Sequence, residues 1–400
     1  MTPSHPEAGG AEAAPAEGIP QRLTHLALLW LAGLSIRVTV LAIPPLLPTL
    51  RREFDLNHAG VAAMTTLPLL LFGAAATVGS GVVSFAGARR TLVAGLLVAA
   101  AASAVRAVAP SAAVLLGFTF VMGLGIAAVQ PALPSLVQSW FPRTIGRATA
   151  VYVNGMLVSE AVAASVTLPL LVPLFGGWQG ALAFWSLPVG AAAVLVAFFS
   201  SELPAHETRP ARWLPSWTEG RTWRVGLLQG AGSLAYFGSN AMIPVYLESV
   251  HRGDLVGWSL TVLNSSQLLA SVAVAVLVRR MRIGTFVWVN GIPVAAGAVM
   301  LVADPDRAIL WSFVVGFCTA IVFTLSLAVP ALLERGPEVA RLSAGMLTIG
   351  YGIAFALPLV GGALWDATGS AWAGFAPPIA AGLGAIVIGG FMRDLRELRE

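Results

Sequence analysis

The chain has 400 residues, of which 57% are hydrophobic and only 10% charged, and its mean hydropathy is +0.82. Soluble domains carry about 25% charged residues, so this deficit excludes a single large soluble core and leaves a polytopic membrane protein. The formal charge of +4 does not point to nucleic acid, because the basic residues stand singly between apolar runs; all 23 are arginine, which removes lysine-dependent chemistry such as Schiff bases.

Residues 1–21 are rich in Ala, Pro, Glu and Gly and read as a disordered cytoplasmic tail that cannot bury a core. The apolar run 23–50 follows. It is too long for a signal-peptide core and long enough to cross about 30 Å of hydrocarbon, so it is an uncleaved first span. Arg37 sits at its centre, where an arginine costs roughly 2.5–3.5 kcal/mol. Either it closes a structural ion pair that fixes helix packing, or it is a cationic substrate contact in a transport cavity; the second reading is preferred.

Eleven further runs follow at 59–83, 91–109, 112–138, 147–173, 178–200, 223–247, 256–278, 284–303, 308–333, 343–366 and 372–392. The expected fold is all-α: twelve transmembrane helices in two pseudo-symmetric six-helix bundles, 22–200 and 223–393. A polar, Pro-rich cytoplasmic linker at 201–222 joins them, and 394–400 is a second cytoplasmic tail. With the amino terminus inside, 17 arginines fall on the cytoplasmic side and five on the other, which places both termini in the cytoplasm. The halves also echo each other: Arg147, Ala150, Trp178 and Gly180 recur 194 residues later as Arg341, Ala344, Trp372 and Gly374, a sign of duplication.

Glu160, in the middle of the fifth run, is the one other deep charge, and its sign is opposite to that of Arg37. It either pairs with Arg37 directly or titrates in a shared aqueous cavity during transport; residue types alone leave both open. Uncharged polar residues recur at helical spacing. Gln229, Ser233, Tyr236 and Asn240 make one face of the seventh run, read as cavity lining, and Asn264, Gln267 and Ser271 make one of the eighth. Gln130 precedes Pro131 in the fourth, and Thr348 and Tyr351 lie in the eleventh. Trp140, Trp178, Trp223, Trp258 and Trp372 stand at span ends as interfacial anchors, and Arg106 is expected to snorkel from one.

Nothing carries bond-making chemistry. The five histidines are scattered without metal-ligand spacing, Cys318 is alone in an apolar run, and no phosphate loop occurs. No enzyme, metal or cofactor is expected.

With twelve spans, a six-plus-six duplication and a long central loop, the chain resembles the major facilitator superfamily over residues 22–395. The loop SGVVSFAGARR is similar to that superfamily's Gly-x-x-x-Asp-Arg-x-Gly-Arg-Arg signature, keeping Gly87, Arg89 and Arg90 but with Ser84 where the acid would stand. Within the superfamily, SIRVTVLAIPPLLPTL resembles the first-span signature of the cyanate and 2-nitroimidazole transporter family. Arg37, Pro45, Leu46, Leu47 and Pro48 match it, while Ser35, Val38 and Pro44 replace its asparagine, proline and glycine. QPALPSLVQSWFPRTIGRATAVY is similar to that family's fourth-span ending at Leu133, Pro134, Phe141, Pro142 and Gly146.

The resemblance implies a secondary transporter of the bacterial inner membrane that moves a small anion or polar nitrogenous solute, cyanate-like, by alternating access. Arg37 would bind the solute. Gln130, Tyr236, Asn240, Asn264, Gln267 and Tyr351 are the candidate hydrogen-bonding partners, and Glu160 is the coupling or counter-charge residue. The expected partners are a small-molecule substrate, the proton as candidate coupling ion, and membrane lipid; no nucleic acid is expected, and the chain is expected to be a monomer. Two alternatives stand beside this: proton-coupled efflux of hydrophobic drugs such as nitroimidazoles, and a non-transporting receptor or scaffold on the same fold.

Overall fold

The computed structural model describes residues 19–55, 67–68, 70–200, 214–277 and 282–391, and among them all regular structure is helical. Twelve helical segments fall on the twelve apolar runs: α1 (Ile19–Leu41), α2 (Ala76–Ala86), α3 (Ala88–Arg106), α4 (Ala112–Trp140), α5 (Ile145–Val166), α6 (Trp178–Phe199), α7 (Gly220–Ser249), α8 (Val256–Leu277), α9 (Ile283–Ala303), α10 (Ala308–Leu333), α11 (Pro337–Thr368) and α12 (Ala371–Phe391). Most of the tail expected at 1–21, the first part of the linker expected at 201–222 and all of 394–400 lie outside the described residues. Helix starts at Ile19 and again at Gly220, earlier than the apolar runs begin.

Nine of these helices, among the described residues, are long and apolar enough to cross a membrane unaided. Helix α5 runs on to the short helix Val172–Phe175 through a π-helical turn at Thr167–Leu171, with a 50° bend, and the bent pair is together long and apolar enough to count as a tenth. Pro169 in that turn has no N–H to donate, the usual origin of such a bend. Helix α7 is 30 residues long; its polar stripe dilutes its apolarity. Helix α2 is preceded by further helical residues at 70–74. It ends at Gly87, whose φ of 84° turns the chain sharply into α3, a backbone state open to glycine at little cost. Arg89, just past that corner, donates from Nε to Ser200 Oγ (2.7 Å) and from Nη2 to the Ala197 carbonyl (2.5 Å). A cation at the carboxyl end of α6 satisfies its free carbonyls.

Pairing of the helices repeats with a shift of six. Helix α1 packs on α5 as α7 packs on α11; α3 packs on α4 and α6 as α9 packs on α10 and α12; α2 packs on α4 as α8 packs on α10. Glycine permits the tightest approaches: a Cβ on Gly33 would lie 2.0 Å from the Tyr152 carbonyl oxygen, and one on Gly155 2.2 Å from that of Trp30. These two glycines let the α1 and α5 backbones touch, the small-residue packing that membranes favour.

Between the halves, α5 meets α8 and α10, α11 meets α2 and α4, and α4 meets α10, whereas α1 and α7 make no extensive contact. The polar links lie toward the arginine-rich side. Gln138, near the end of α4, donates to the backbone carbonyls of Glu334 and Ala331 and accepts from Gly336 N (3.1 Å). Asn154 Nδ2 donates to Ser271 Oγ (2.8 Å), and Thr348 Oγ1 to the Gly73 carbonyl (2.8 Å). Uncharged hydrogen bonds thus join the two halves on that side.

Two expectations about span ends are corrected. Trp140 and Trp178 are buried, not interfacial: Trp140 stacks on His25 with ring centroids 4.4 Å apart, and Trp178 donates to Glu53. Trp223, Trp258 and Trp372 are exposed as anchors would be. Arg106 does not snorkel, because it is 0% exposed.

Candidate functional site

Arg37 lies one turn before the end of α1, and the neighbouring helices close on its guanidinium from three directions. Its Nη1 is 3.3 Å from Glu160 Oε1 on α5. Its Nη2 donates to Tyr351 OH on α11 at 3.2 Å, which ties the first half to the second. Phe72 presents its ring face 5.7 Å from the guanidinium carbon, an arrangement that attracts a cation to the ring's negative face. Tyr351 and Phe72 also contact each other, with centroids 5.8 Å apart. Both deep charges thus pair directly, and both also face open space.

That space is a small, partly open cavity between the halves, lined by Arg37, Met156, Leu157 and Glu160 from the first half and by Ser233, Tyr236, Phe237, Gln267, Thr319 and Phe323 from the second. A mainly apolar wall with a few converging polar groups is the usual make-up of a small-molecule site. Two of its donors lack acceptors. Arg37 Nε and Gln267 Nε2 are buried with no hydrogen-bond partner among the described residues, a costly condition for polar groups. Tyr236, by contrast, is engaged, donating to Asn264 Oδ1 at 2.6 Å while Asn264 Nδ2 donates to the Leu260 carbonyl at 2.7 Å.

The expected residues therefore separate into groups. Arg37, Glu160, Tyr236 and Gln267 line the cavity; Tyr351 and Asn264 stand directly behind it, each bonded to a lining residue. Gln130 and Asn240 are not in the lining: Gln130 is buried in α4 with its Nε2 unpartnered, and Asn240 is half-buried one turn beyond Tyr236. The polar face of α7 also divides. Ser233 and Tyr236 reach the cavity, whereas Gln229 is fully buried, donates to Ser233 Oγ (3.2 Å) and accepts from Ser326 on α10. Gln229 joins helices instead of lining the opening. Phe72, Phe237 and Phe323 escape any reading by polarity, being apolar residues in apolar runs. Asn154, which bridges Trp30 Nε1 (3.0 Å) to Ser271 below the cavity, did carry a signal: it is a lone amide in the middle of a span.

Among the described residues no group of three or more His, Cys, Asp and Glu could hold a metal. The site can pair charge, donate hydrogen bonds and stack against rings.

Comparison with known proteins agrees with this architecture. The model of the Major Facilitator Superfamily matches residues 29–330. The 2-nitroimidazole transporter of Escherichia coli K12 is 30% identical over 358 residues, covering 87% of this chain and 90% of its own. The cyanate transport protein CynX of the same organism is 26% identical over 360 residues, covering 86% and 91%. Among solved structures, the human organic anion transporter MFSD10 (TETRAN) superposes with a TM-score of 0.75 at 15% identity, over 93% of this chain and 100% of that one.

Proposed function

Since the chain belongs to the major facilitator superfamily, we propose that it is a secondary transporter of a small, flat, polar nitrogenous solute, of the nitroimidazole kind. The two bundles rock about the Arg37 cavity in alternating access. The observation that carries this is the pair of unpartnered donors, Arg37 Nε and Gln267 Nε2, in an otherwise apolar, aromatic wall. Such a site takes a ring that stacks on Phe237 or Phe323 and turns acceptor atoms, such as nitro oxygens or a ring nitrogen, toward the guanidinium. Because Glu160 already neutralises Arg37, the site as it stands suits a neutral solute.

A cyanate-like anion is the second reading, favoured by the guanidinium itself. It becomes the better occupant once Glu160 takes a proton and releases Arg37, which gives Glu160 its role as the coupling residue. The arginine-rich side is the cytoplasmic one in this reading, with both termini there and the protein in a bacterial inner membrane.

Uptake into proteoliposomes tests the proposal. Arg37→Ala abolishes 2-nitroimidazole transport, and Glu160→Gln removes its dependence on a pH gradient. Undiminished transport by Arg37→Ala refutes the site, and a retained pH response in Glu160→Gln leaves that residue a static counter-charge.

A further inference from the structure

A second arginine is buried in the membrane region, and unlike Arg37 it has no carboxylate. Arg106 is the last residue of α3 and is 0% exposed. One of its terminal nitrogens is spoken for: Nη1 donates to the Thr39 carbonyl at 3.1 Å and approaches Met122 Sδ at 2.7 Å. That carbonyl is one the ending helix releases, since Ala42 N bonds to Val38 O and Ile43 N turns to Val40 O. The guanidinium is thereby fixed at the carboxyl end of α1, two residues beyond Arg37.

The other two nitrogens, Nε and Nη2, are buried with no partner among the described residues. They form one edge of the planar guanidinium, the fork that grips an anion with two parallel hydrogen bonds. Buried hydroxyls of Ser103, one turn back on α3, and of Thr39 are also unpartnered. No side chain of the first half supplies the missing charge. Its carboxylates between residues 22 and 200 are Glu53, Asp55 and Glu160. Glu160 faces Arg37, Glu53 accepts from Trp178 and Gln179, and Asp55 is exposed. An uncompensated buried cation is strongly unfavourable.

We propose that the Nε–Nη2 edge of Arg106 binds a small monovalent inorganic anion, of the halide or nitrate class, at the junction of α1, α3 and α4. This site is separate from the Arg37 cavity.

The test is thermal unfolding of the full-length protein in detergent, at constant ionic strength, with gluconate replaced stepwise by chloride or by nitrate. The wild type is expected to gain stability saturably, the folding constant rising about elevenfold at ten times Kd. Arg37→Gln keeps this response, and Arg106→Gln loses it. If Arg106→Gln fails to fold, wild-type crystals grown in bromide decide instead, by an anomalous peak within hydrogen-bonding reach of Arg106 Nε and Nη2. A wild type indifferent to both anions, a response lost in Arg37→Gln but kept in Arg106→Gln, or bromide crystals without that peak would each overturn the proposal.

Discussion

Exchanging Glu160 for Gln strips the Arg37 guanidinium of its counter-charge while leaving Tyr351 and Phe72 in place. Breaking a buried pair by removing one partner costs about 3–5 kcal/mol, whereas removing both is often close to neutral. The two side chains are 7% and 11% exposed and open onto a cavity, so the low end applies, about 3 kcal/mol for Glu160→Gln. Arg37→Gln should cost less, because a stranded carboxyl can take up a proton. The double variant Arg37→Gln/Glu160→Gln should return to within about 1 kcal/mol of the wild type, an interaction energy of at least about 2 kcal/mol between contacting residues. Denaturant unfolding of the four proteins in one detergent measures this cycle. A double variant as unstable as the sum of its singles would refute the reasoning, since the two groups would then act independently.

Three further outcomes follow from the same geometry. Tyr351→Phe leaves Arg37 Nη2 without its acceptor and should destabilise by about 1–3 kcal/mol in the same unfolding assay. Gly33→Ala forces a Cβ to 2.0 Å from a backbone oxygen that cannot yield, whereas Gly362→Ala meets nothing within 4 Å; size-exclusion of detergent extracts should show folded protein lost in the first and retained in the second. Gln138→Ala removes the link from α4 to Glu334, Ala331 and Gly336. In a Cys318→Ser background it should speed maleimide labelling of a cysteine placed at Ala331, a residue buried at that contact.

How far the sequence could be read depended on contrast with the surroundings. Arg37 and Glu160 were legible because a charge in the middle of an apolar run has few ways to persist, and they lie 3.3 Å apart. Their pairing was not legible, since it depends on how α1 rotates against α5, which Gly33 and Gly155 set by close approach. The stripe on α7 marked a face but not its neighbours. That helix packs on α10, α11 and α12, so Gln229 meets Ser326 while Tyr236, two turns on, meets the cavity. Phe72 and Phe323 offer no contrast at all. Arg106 and Trp140 misled for the opposite reason: position at a span end suggests an outward-facing side chain, but the rotation of the helix turned both inward.

The links that join the halves toward the arginine-rich side are uncharged. Gln138, the Asn154–Ser271 pair and the Thr348–Gly73 pair contribute five neutral hydrogen bonds, while the Arg37–Glu160 pair closes within the first half and the Arg252–Asp306 and Arg341–Glu338 pairs within the second. At a net of about 1 kcal/mol each, the clasp holds with roughly 5 kcal/mol. A ligand opens such a clasp only by as much as it binds the open form better than the closed one, so a differential affinity of about 5 kcal/mol would be needed to offset it, and a charge-zippered floor would demand more.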